Sequence, residues 1–119
     1  MIEETTIPST EITKLLGEAV RDDDGKAPIH LIPPEVFTAL ASVYDFGAKK
    51  YAPRNWEKGM DWSRVYSSAM RHLLAFWSGE DFDEESGLPH VWHALWNCAA
   101  LACYLGTHPE RDDRPRCGT

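Results

Sequence analysis

Residues 89–105, PHVWHALWNCAALACYL, decide the fold class, because they are apolar on almost every side of a helix. The polar residues His90, His93 and Asn97 interrupt this run and share one helical face at i, i+3 and i+7. A helix this apolar has to be buried on most sides. In a chain of 119 residues, that burial predicts a helical bundle whose core is completed by another subunit.

Two further helices are predicted upstream of this segment. The first begins at Pro34, which suits the first helical turn because no amide donor is needed there, and Gly47 is expected to end or kink it. The second is expected to run from Trp62 to about Ser78, with Asp61 as its N-cap. Strand-like alternation of apolar and polar residues is missing from the sequence, so an all-α fold is predicted.

The second predicted helix has two apolar stripes and a basic side. The inward stripe consists of Val65, Ala69, His72 and Phe76, and the adjacent stripe consists of Tyr66, Met70, Leu73 and Trp77. Arg64 and Arg71 are predicted to lie on the opposite side of the helix.

The chain divides into three predicted regions. Residues 1–30 are an acidic arm or contain a short helix. That helix would be capped by Ser9 or Thr10 and would end near Val20. Residues 31–107 form the helical domain, and residues 108–119 form a charged, flexible tail. Neither a signal sequence nor an apolar stretch of membrane-spanning length is recognisable, so a cytoplasmic protein is expected.

The three cysteines favour the same reducing compartment. Cys98, Cys103 and Cys117 contain no CxxC pair, and the first two lie in the apolar helical run. They are therefore predicted to be buried free thiols.

The charge of the chain is acidic overall but unevenly distributed. The formal net charge is −7 and the pI is about 5.1, which disfavours a nucleic-acid binder because phosphate contacts require a cationic surface. Residues 47–72 nevertheless carry six basic and two acidic residues, a net charge of +4, so the rest of the chain carries −11. A basic region beside an acidic cluster is what a site for a polyphosphate and its metal requires.

The acidic cluster lies in residues 79–90, GEDFDEESGLPH, between the second and third predicted helices. The candidate metal ligands are the imidazoles and carboxylates near this loop: His72, Glu80, Asp81, Asp83, His90 and His93. A donor set of this kind suits Mg²⁺ or Mn²⁺. A solvated acidic loop beside hydrogen-bonded packing histidines explains the spacing equally well.

The basic loop of residues 47–59, GAKKYAPRNWEKG, offers candidates for binding a nucleotide. Lys49, Lys50 and Arg54 can meet phosphate charge, Asn55 can contact a base edge or a ribose hydroxyl, and Tyr51 or Trp56 can stack on a base. The alternative is an exposed loop whose lysines keep the protein soluble. Lys26 is favoured as a surface lysine when its own sequence context is considered alone.

Three linked blocks, GAKKY–NW, RH–GED and GLPH–H–N, resemble a phage and bacterial family of dATP/dGTP diphosphohydrolases. These are relatives of the all-α, MazG-like nucleotide pyrophosphohydrolases, and the resemblance extends from Gly25 to about Leu105. It implies a dimeric or tetrameric helical hydrolase that converts a purine deoxynucleoside triphosphate, dGTP or dATP, into the monophosphate and pyrophosphate. Such a reaction would serve phage nucleotide-pool remodelling or the synthesis of 2-aminoadenine genomes.

The resemblance also implies roles for individual residues. The positions characteristic of the family are Lys26, Lys49, Lys50, Asn55, Trp56, Arg71, His72, Glu80, Asp81, Asp83, His90, His93 and Asn97. Glu80, Asp83 and His93 are the expected catalytic residues, while Glu84 and Glu85 are expected to be solvated. The ExxE and ExxD metal-binding pairs of the broader MazG-like group have no counterpart here, because the second helix contains no acidic residue and His90-x-x-His93 replaces ExxD.

Two other classes of function compete with the hydrolase. One is a non-catalytic nucleotide-binding module, which metal-dependent release of pyrophosphate would exclude. The other is a structural helical oligomer, which the absence of any thermal shift with Mn²⁺ and a purine nucleotide would favour.

Overall fold

A computed structural model describes residue 17 and residues 19–116 of the chain. In this part of the chain the α-helices are α1 (Pro34–Lys50), α2 (Trp62–Trp77) and α3 (His90–Thr107). The β-structure there is limited to one isolated bridge between Phe82 and Pro89. The all-α prediction is therefore confirmed.

The chain forms two compact units, Met1–Leu31 and Ile32–Thr119. In the first unit, the described residues include a turn closed by a hydrogen bond from the Lys26 N–H to the Asp23 carbonyl, and a 3-10 helix at Ile29–Leu31. The short helix predicted to end near Val20 falls almost entirely outside the described residues. Among the described residues, no helix combines the length and the apolar character that crossing a membrane requires.

Helix α3 is the centre of the second unit. It packs extensively against α2 and less extensively against α1. The core lies between α2 and α3 and contains Trp62, Val65, Ala100 and Tyr104, of which Ala100 and Tyr104 are fully buried. Because α1 and α2 have few contacts with each other, a gap remains between them, and it is lined by His93, Trp96 and Asn97 of α3.

Helix α1 corrects the prediction for Gly47. The helix continues through Gly47 to Lys50, and the Gly47 carbonyl accepts a hydrogen bond from the Tyr51 N–H. A glycine costs only about 1 kcal/mol inside a helix, and burial of Ala39 and Val43 on the same helix offsets this cost.

The N-terminus of α2 corrects the prediction for its cap. Asp61 occupies the N-cap position, but its side chain makes no capping bond and pairs instead with Arg111 at 3.3 Å. The free N–H of Ser63 is satisfied by Asp113, at 2.9 Å from Oδ1. A residue beyond α3 therefore caps α2. The division of the chain into arm, domain and tail stays a prediction.

Several apolar side chains predicted to be buried lie at the surface of the chain. Phe76 of the inward stripe is exposed, because the packed part of α2 ends before its last turn. Cys98 and Cys103 are exposed free thiols, which contradicts the prediction of burial.

Candidate metal and nucleotide site

Three side chains from different parts of the chain meet at the end of the α2–α3 hairpin. They are His72 near the end of α2, Asp83 in the connecting loop and His90 at the start of α3. Their ligand atoms all lie within 4.8 Å of one another, and the two Nδ1 atoms are 2.9 Å apart. We call these three residues the His–Asp–His cluster.

The loop between α2 and α3 places Asp83 at this cluster. The Asp83 N–H donates to the Leu88 carbonyl, and the Gly87 N–H donates back to the Asp83 carbonyl, both at 2.8 Å. Gly87 has a φ of 75°, a conformation that favours glycine. The Ser86 N–H then donates to Asp83 Oδ2 at 2.9 Å, so the carboxylate has a fixed direction.

The hydrogen bonds of His90 assign its tautomer. Its Nε2 lies 2.6 Å from Glu80 Oε2, and a carboxylate can only accept, so the Nε2 atom carries a proton. In the neutral imidazole the Nδ1 atom then keeps its lone pair, directed towards His72. A carboxylate behind the imidazole is how proteins usually orient a metal-ligating histidine.

His93 lies beside the cluster and stacks on His72, with ring centroids 4.6 Å apart. Its Nε2 is 2.7 Å from Ser86 Oγ, and that oxygen already accepts a hydrogen bond from the Leu88 N–H. The Ser86 hydroxyl is therefore free to donate to His93, which makes Nε2 of a neutral His93 an acceptor. Asp83 Oδ2 is 4.0 Å from the same nitrogen.

The electrostatics of the site favour neutral imidazoles beside an ionised carboxylate. Burial, followed by the nearby His93, lowers the pKa of His72, and burial lowers the pKa of His93 despite the opposing effect of Asp83. Burial alone would raise the pKa of Asp83, but the hydrogen bonds from Ser86 outweigh it, so the pKa of this carboxyl is lowered. Neutral imidazole and ionised carboxylate are the protonation states that bind metals.

We expect the imidazoles of His72 and His93 to titrate below 6.5 in the metal-free protein. His108 should titrate above 6.5, because Glu110 and then the Glu57 carbonyl bond to it. Heteronuclear NMR of the histidine rings across a pH series measures all three values. A value of 6.5 or higher for both His72 and His93 would contradict this description of the site.

The lowered pKa values of His72 and His93 also predict how the stability of the fold changes with pH. The folded-state pKa of His72 and His93 is below the unfolded value, so their contribution is complete above pH 6.5 and is lost as pH falls below it.

The donor set fits a divalent ion. Two nitrogens bound to one ion at right angles, each at about 2.1 Å, lie about 3 Å apart, close to the 2.9 Å between the two Nδ1 atoms. His72, Asp83 and His90 would be the ligands, and Glu80 would orient His90. A set of two imidazoles and one carboxylate suits Mn²⁺ better than Mg²⁺, which prefers oxygen ligands.

A cleft of about 1180 Å³ opens beside the cluster, in the gap between α1 and α2. Its walls bring together many of the residues expected from the sequence: Lys50, Tyr51, Arg54, Asn55, Trp56, Arg71, His72, Asp83, His93 and Asn97. His72 and Asp83 of the His–Asp–His cluster therefore line a cleft with a basic wall, whereas His90 is not among the lining residues.

The prediction that two arginines lie on the outer side of α2 is wrong. Arg64 and Arg71 line the cleft rather than the outside of the bundle, because α1 does not close against α2. Lys50 pairs with Glu85 at 2.6 Å, so Glu85 is not simply solvated as predicted. Lys49 does not line the cleft and pairs with Asp45 within α1 at 2.9 Å.

Two other candidates, Glu80 and Asp81, are not among the residues that line the cleft. Glu80 contacts His90 and is outside the three-residue cluster. Asp81 has an exposed side chain, and its backbone carbonyl accepts a hydrogen bond from the His90 N–H. Lys26 belongs to the first compact unit of the chain.

Aromatic side chains line the end of the cleft away from the cluster. Trp56 has its ring centroid 5.8 Å from that of Tyr44 and 6.2 Å from that of Trp96. The Trp96 Nε1 atom is buried and has no hydrogen-bond partner among the described residues. We call Tyr44, Trp56 and Trp96 the aromatic wall.

Sequence reasoning missed Ser86, Ser68 and two members of the aromatic wall. Ser86 was treated only as a turn residue, although aspartate side chains commonly accept a hydrogen bond from a backbone N–H a few residues on, as Asp83 does here. Ser68 supports Asn97, whose Nδ2 lies 3.3 Å from Ser68 Oγ. Tyr44 and Trp96 have ordinary core spacing on their helices, so no sequence signal distinguished them from packing residues.

Comparisons with known proteins identify the family of the chain. Residues 17–114 match the family model described as "dATP/dGTP diphosphohydrolase, N-terminal". The chain is similar to a Salmonella phage PMBT28 protein named dATP/dGTP diphosphohydrolase, with 35% identity over 95 residues, which cover 80% of this chain and 32% of the relative. It thus spans about a third of the length of that curated relative, and no solved structure matches it. The chain belongs to the dATP/dGTP diphosphohydrolase family.

Proposed function

We propose that this chain hydrolyses a purine deoxynucleoside triphosphate, dGTP or dATP, to the monophosphate and pyrophosphate in the cleft between α1 and α2. The observation that carries the proposal is the His–Asp–His cluster at one end of a cleft with a basic wall. The relative from Salmonella phage PMBT28 is named dATP/dGTP diphosphohydrolase, and this name supports the same reaction here.

The cofactor in this proposal is Mn²⁺ or Mg²⁺, bound by His72, Asp83 and His90. When bound, such an ion supplies charge that neutralises the phosphates and makes water a better nucleophile. Because two of the three ligands are imidazoles, we expect higher activity with Mn²⁺ than with Mg²⁺.

The cationic residues bind the triphosphate. Arg71 is on the same helix as His72 and lines the cleft next to it, so it can contact the phosphates near the reacting phosphorus. Lys50 and Arg54 line the cleft from the α1 side, and each is paired with a glutamate that phosphate can replace. These residues stabilise the charge that develops on the leaving pyrophosphate.

The reaction breaks one phosphoanhydride bond. Water attacks the α-phosphorus, the bond from this phosphorus to the bridging oxygen breaks, and pyrophosphate leaves with the bonding electrons. His93 is the proton acceptor in this proposal, since its Nε2 faces Ser86 and Asp83 at the edge of the cleft. Glu80 acts by orienting His90.

The aromatic wall receives the purine base. Trp56 can stack on the base, and Tyr51 or Asn55 can contact its edge or the ribose. The Trp96 indole N–H is a buried donor without an acceptor, and a small shift towards a purine nitrogen or carbonyl would satisfy it. Asn97 is held by its bond to the His93 carbonyl at 2.8 Å and lies between the two ends of the cleft.

A substrate panel tests the proposal. The purified chain is incubated with each ribo- and deoxynucleoside triphosphate in Mn²⁺, Mg²⁺ or EDTA, and the products are separated by chromatography. We expect purine deoxynucleoside monophosphate and pyrophosphate, formed only with metal and fastest with Mn²⁺. Binding of a nucleotide without any hydrolysis would instead support a non-catalytic nucleotide-binding module.

The proposed assembly is a homodimer or homotetramer built on the outer face of α2 and α3. This face exposes Tyr66 and Trp77 on α2 together with Val91, Cys98 and Leu105 on α3. The α3 residues are seven positions apart and the two α2 residues are eleven positions apart, and both spacings keep the side chains on one side of a helix. An apolar two-helix face of this kind is covered when it packs against a second copy and forms a four-helix bundle.

Trp77→Lys should disrupt this assembly. Trp77 is 84% exposed in the single chain, and interface tryptophans often contribute at least about 2 kcal/mol, which corresponds to a roughly thirtyfold weaker association. Light scattering coupled to size-exclusion chromatography measures the mass, with Thr38→Lys on exposed α1 as the control. An unchanged mass for Trp77→Lys would contradict this choice of face.

A further inference from the structure

His108 follows the end of α3 and contacts the 3-10 turn Asn55–Lys58, which we call the Trp56 turn. Its Nε2 lies 2.7 Å from the Glu57 carbonyl oxygen, and its Nδ1 lies 2.9 Å from Glu110 Oε2. The His108 side chain is 19% exposed, and it lies outside the part of the cleft proposed to bind metal.

Both hydrogen-bond partners of His108 are acceptors. A carbonyl oxygen and a carboxylate cannot donate, so both ring nitrogens of His108 must donate for both bonds to form. A neutral imidazole has a single N–H and satisfies one of the partners. The observed geometry is therefore that of an imidazolium which bridges the Trp56 turn and the chain beyond α3.

The ring of His108 also packs directly against Gly59, the residue that closes the Trp56 turn. A Cβ atom at Gly59 would lie 2.9 Å from both Cε1 and Nδ1 of the ring, so a side chain cannot be accommodated there. Gly59 has a φ of 100°, which also favours glycine. The close approach indicates that the turn and the ring have a fixed relative position.

The chain around His108 makes one further bond to the same turn and one to the start of α2. Tyr104 donates its hydroxyl to the Trp56 carbonyl at 2.5 Å, and Trp62 Nε1 donates to the His108 carbonyl at 3.1 Å. The backbone of the Trp56 turn is thus held from outside the cleft, while the Trp56 ring lines the cleft.

We propose that His108 is a positioning residue, whose imidazolium holds the Trp56 turn and thereby keeps the Trp56 indole where the purine base binds. The identity of the ligand rests on the proposed function, but the positioning of the turn does not. His108 acts through Trp56 and touches neither substrate nor metal, so its loss weakens nucleotide binding and leaves the chemical step intact.

The positioning depends on pH in a defined direction. The charged and titratable groups that face His108 are Glu110 and Arg111 from its own segment and Tyr104 from α3, and the Glu57 side chain pairs with Arg54 instead. The hydrogen bond to Glu110 is the largest of the effects that raise the pKa of His108. Both bonds form below this pKa, and one of them is lost as pH rises through it.

Steady-state kinetics of the full chain across about pH 6 to 9 test the proposal. In the wild type we expect KM to rise about fivefold with pH, which corresponds to the loss of one ordinary hydrogen bond, while kcat changes no more than it does in the variants. His108→Gln should show, at every pH, the KM that the wild type reaches at high pH, because glutamine does not titrate. Ionisation of the substrate affects all variants equally and therefore cancels in the comparison. In Glu110→Gln the rise should move to lower pH. A wild-type KM profile in His108→Gln, or a fall in kcat as large as the change in KM, would overturn the proposal.

Amide hydrogen exchange provides a measurement that needs no catalysis. His108→Gln should increase exchange in residues 55–59, whereas Thr107→Ala, an exposed neighbour without a contact to the turn, should not. Unchanged exchange in His108→Gln would overturn the positioning role even if the enzyme is active. Increased exchange in a chain that hydrolyses no nucleotide would support the positioning of the turn and refute the proposed function.

Discussion

Asp83→Asn should abolish metal-dependent hydrolysis, with kcat lower by on the order of 10³-fold, because several kcal/mol of charge stabilisation depend on the metal. Asparagine has nearly the same shape as aspartate, and its carbonyl oxygen can still accept the hydrogen bond from the Ser86 N–H. The substitution therefore removes the negative ligand from the His–Asp–His cluster while the loop keeps its conformation.

Glu84→Gln is the matched control for this substitution. Glu84 lies in the same loop and has an exposed side chain, so its replacement causes the same change of charge outside the cluster. Initial rates with a Mn²⁺ series should give near wild-type kcat for Glu84→Gln and no recovery of Asp83→Asn at high metal concentration. Activity of Asp83→Asn within about tenfold of the wild type would show that Asp83 is not a ligand.

Tyr104→Ala should cause a large loss of stability, about 4 kcal/mol in the free energy of unfolding, as is typical when a large buried aromatic side chain is truncated. Tyr104 is fully buried at the centre of the α2–α3 core, and its ring centroid lies 6.0 Å from that of Trp56. Urea denaturation monitored by far-UV circular dichroism measures the difference.

Tyr104→Phe separates the hydroxyl from the ring. This variant keeps the ring packing and loses the bond to the Trp56 carbonyl, so we expect a loss of about 1 kcal/mol. Equal losses in the alanine and phenylalanine variants would contradict the structure, because they would mean that ring packing contributes nothing to stability.

Much of the fold follows from local sequence signals. Pro34 marks the start of α1, and the apolar run after residue 89 gives α3. The predicted end of α1 was wrong, because a helix whose other residues are packed tolerates Gly47. The capping of α2 by Asp113 involves residues 50 positions apart, and local sequence cannot indicate such a contact.

The core of the candidate site could also be predicted in part. His72 and His90 were expected to meet, since a helical hairpin brings the adjoining helix ends together, and the structure places them in contact. The choice among the acidic residues depends on backbone geometry: Ser86 and Leu88 direct Asp83 to the cluster and leave Asp81 exposed. Composition and spacing contain no information about these bonds.

The cleft itself was the least predictable part. Arg71 lines it because α1 and α2 stay apart, which is a property of tertiary packing and not of the periodicity of α2. The aromatic wall likewise combines Tyr44 of α1 and Trp96 of α3 with the Trp56 turn, and Tyr44 and Trp96 look like core residues on their own helices.

Hydrolysis of dGTP and dATP with Mn²⁺ in ¹⁸O-labelled water tests the central claim most directly, because mass spectrometry of the products shows which phosphorus the water attacked. The account predicts one labelled oxygen in the deoxynucleoside monophosphate, unlabelled pyrophosphate, and no reaction in EDTA or in Asp83→Asn. Label in the pyrophosphate or in inorganic phosphate, or turnover that persists without metal, would contradict it.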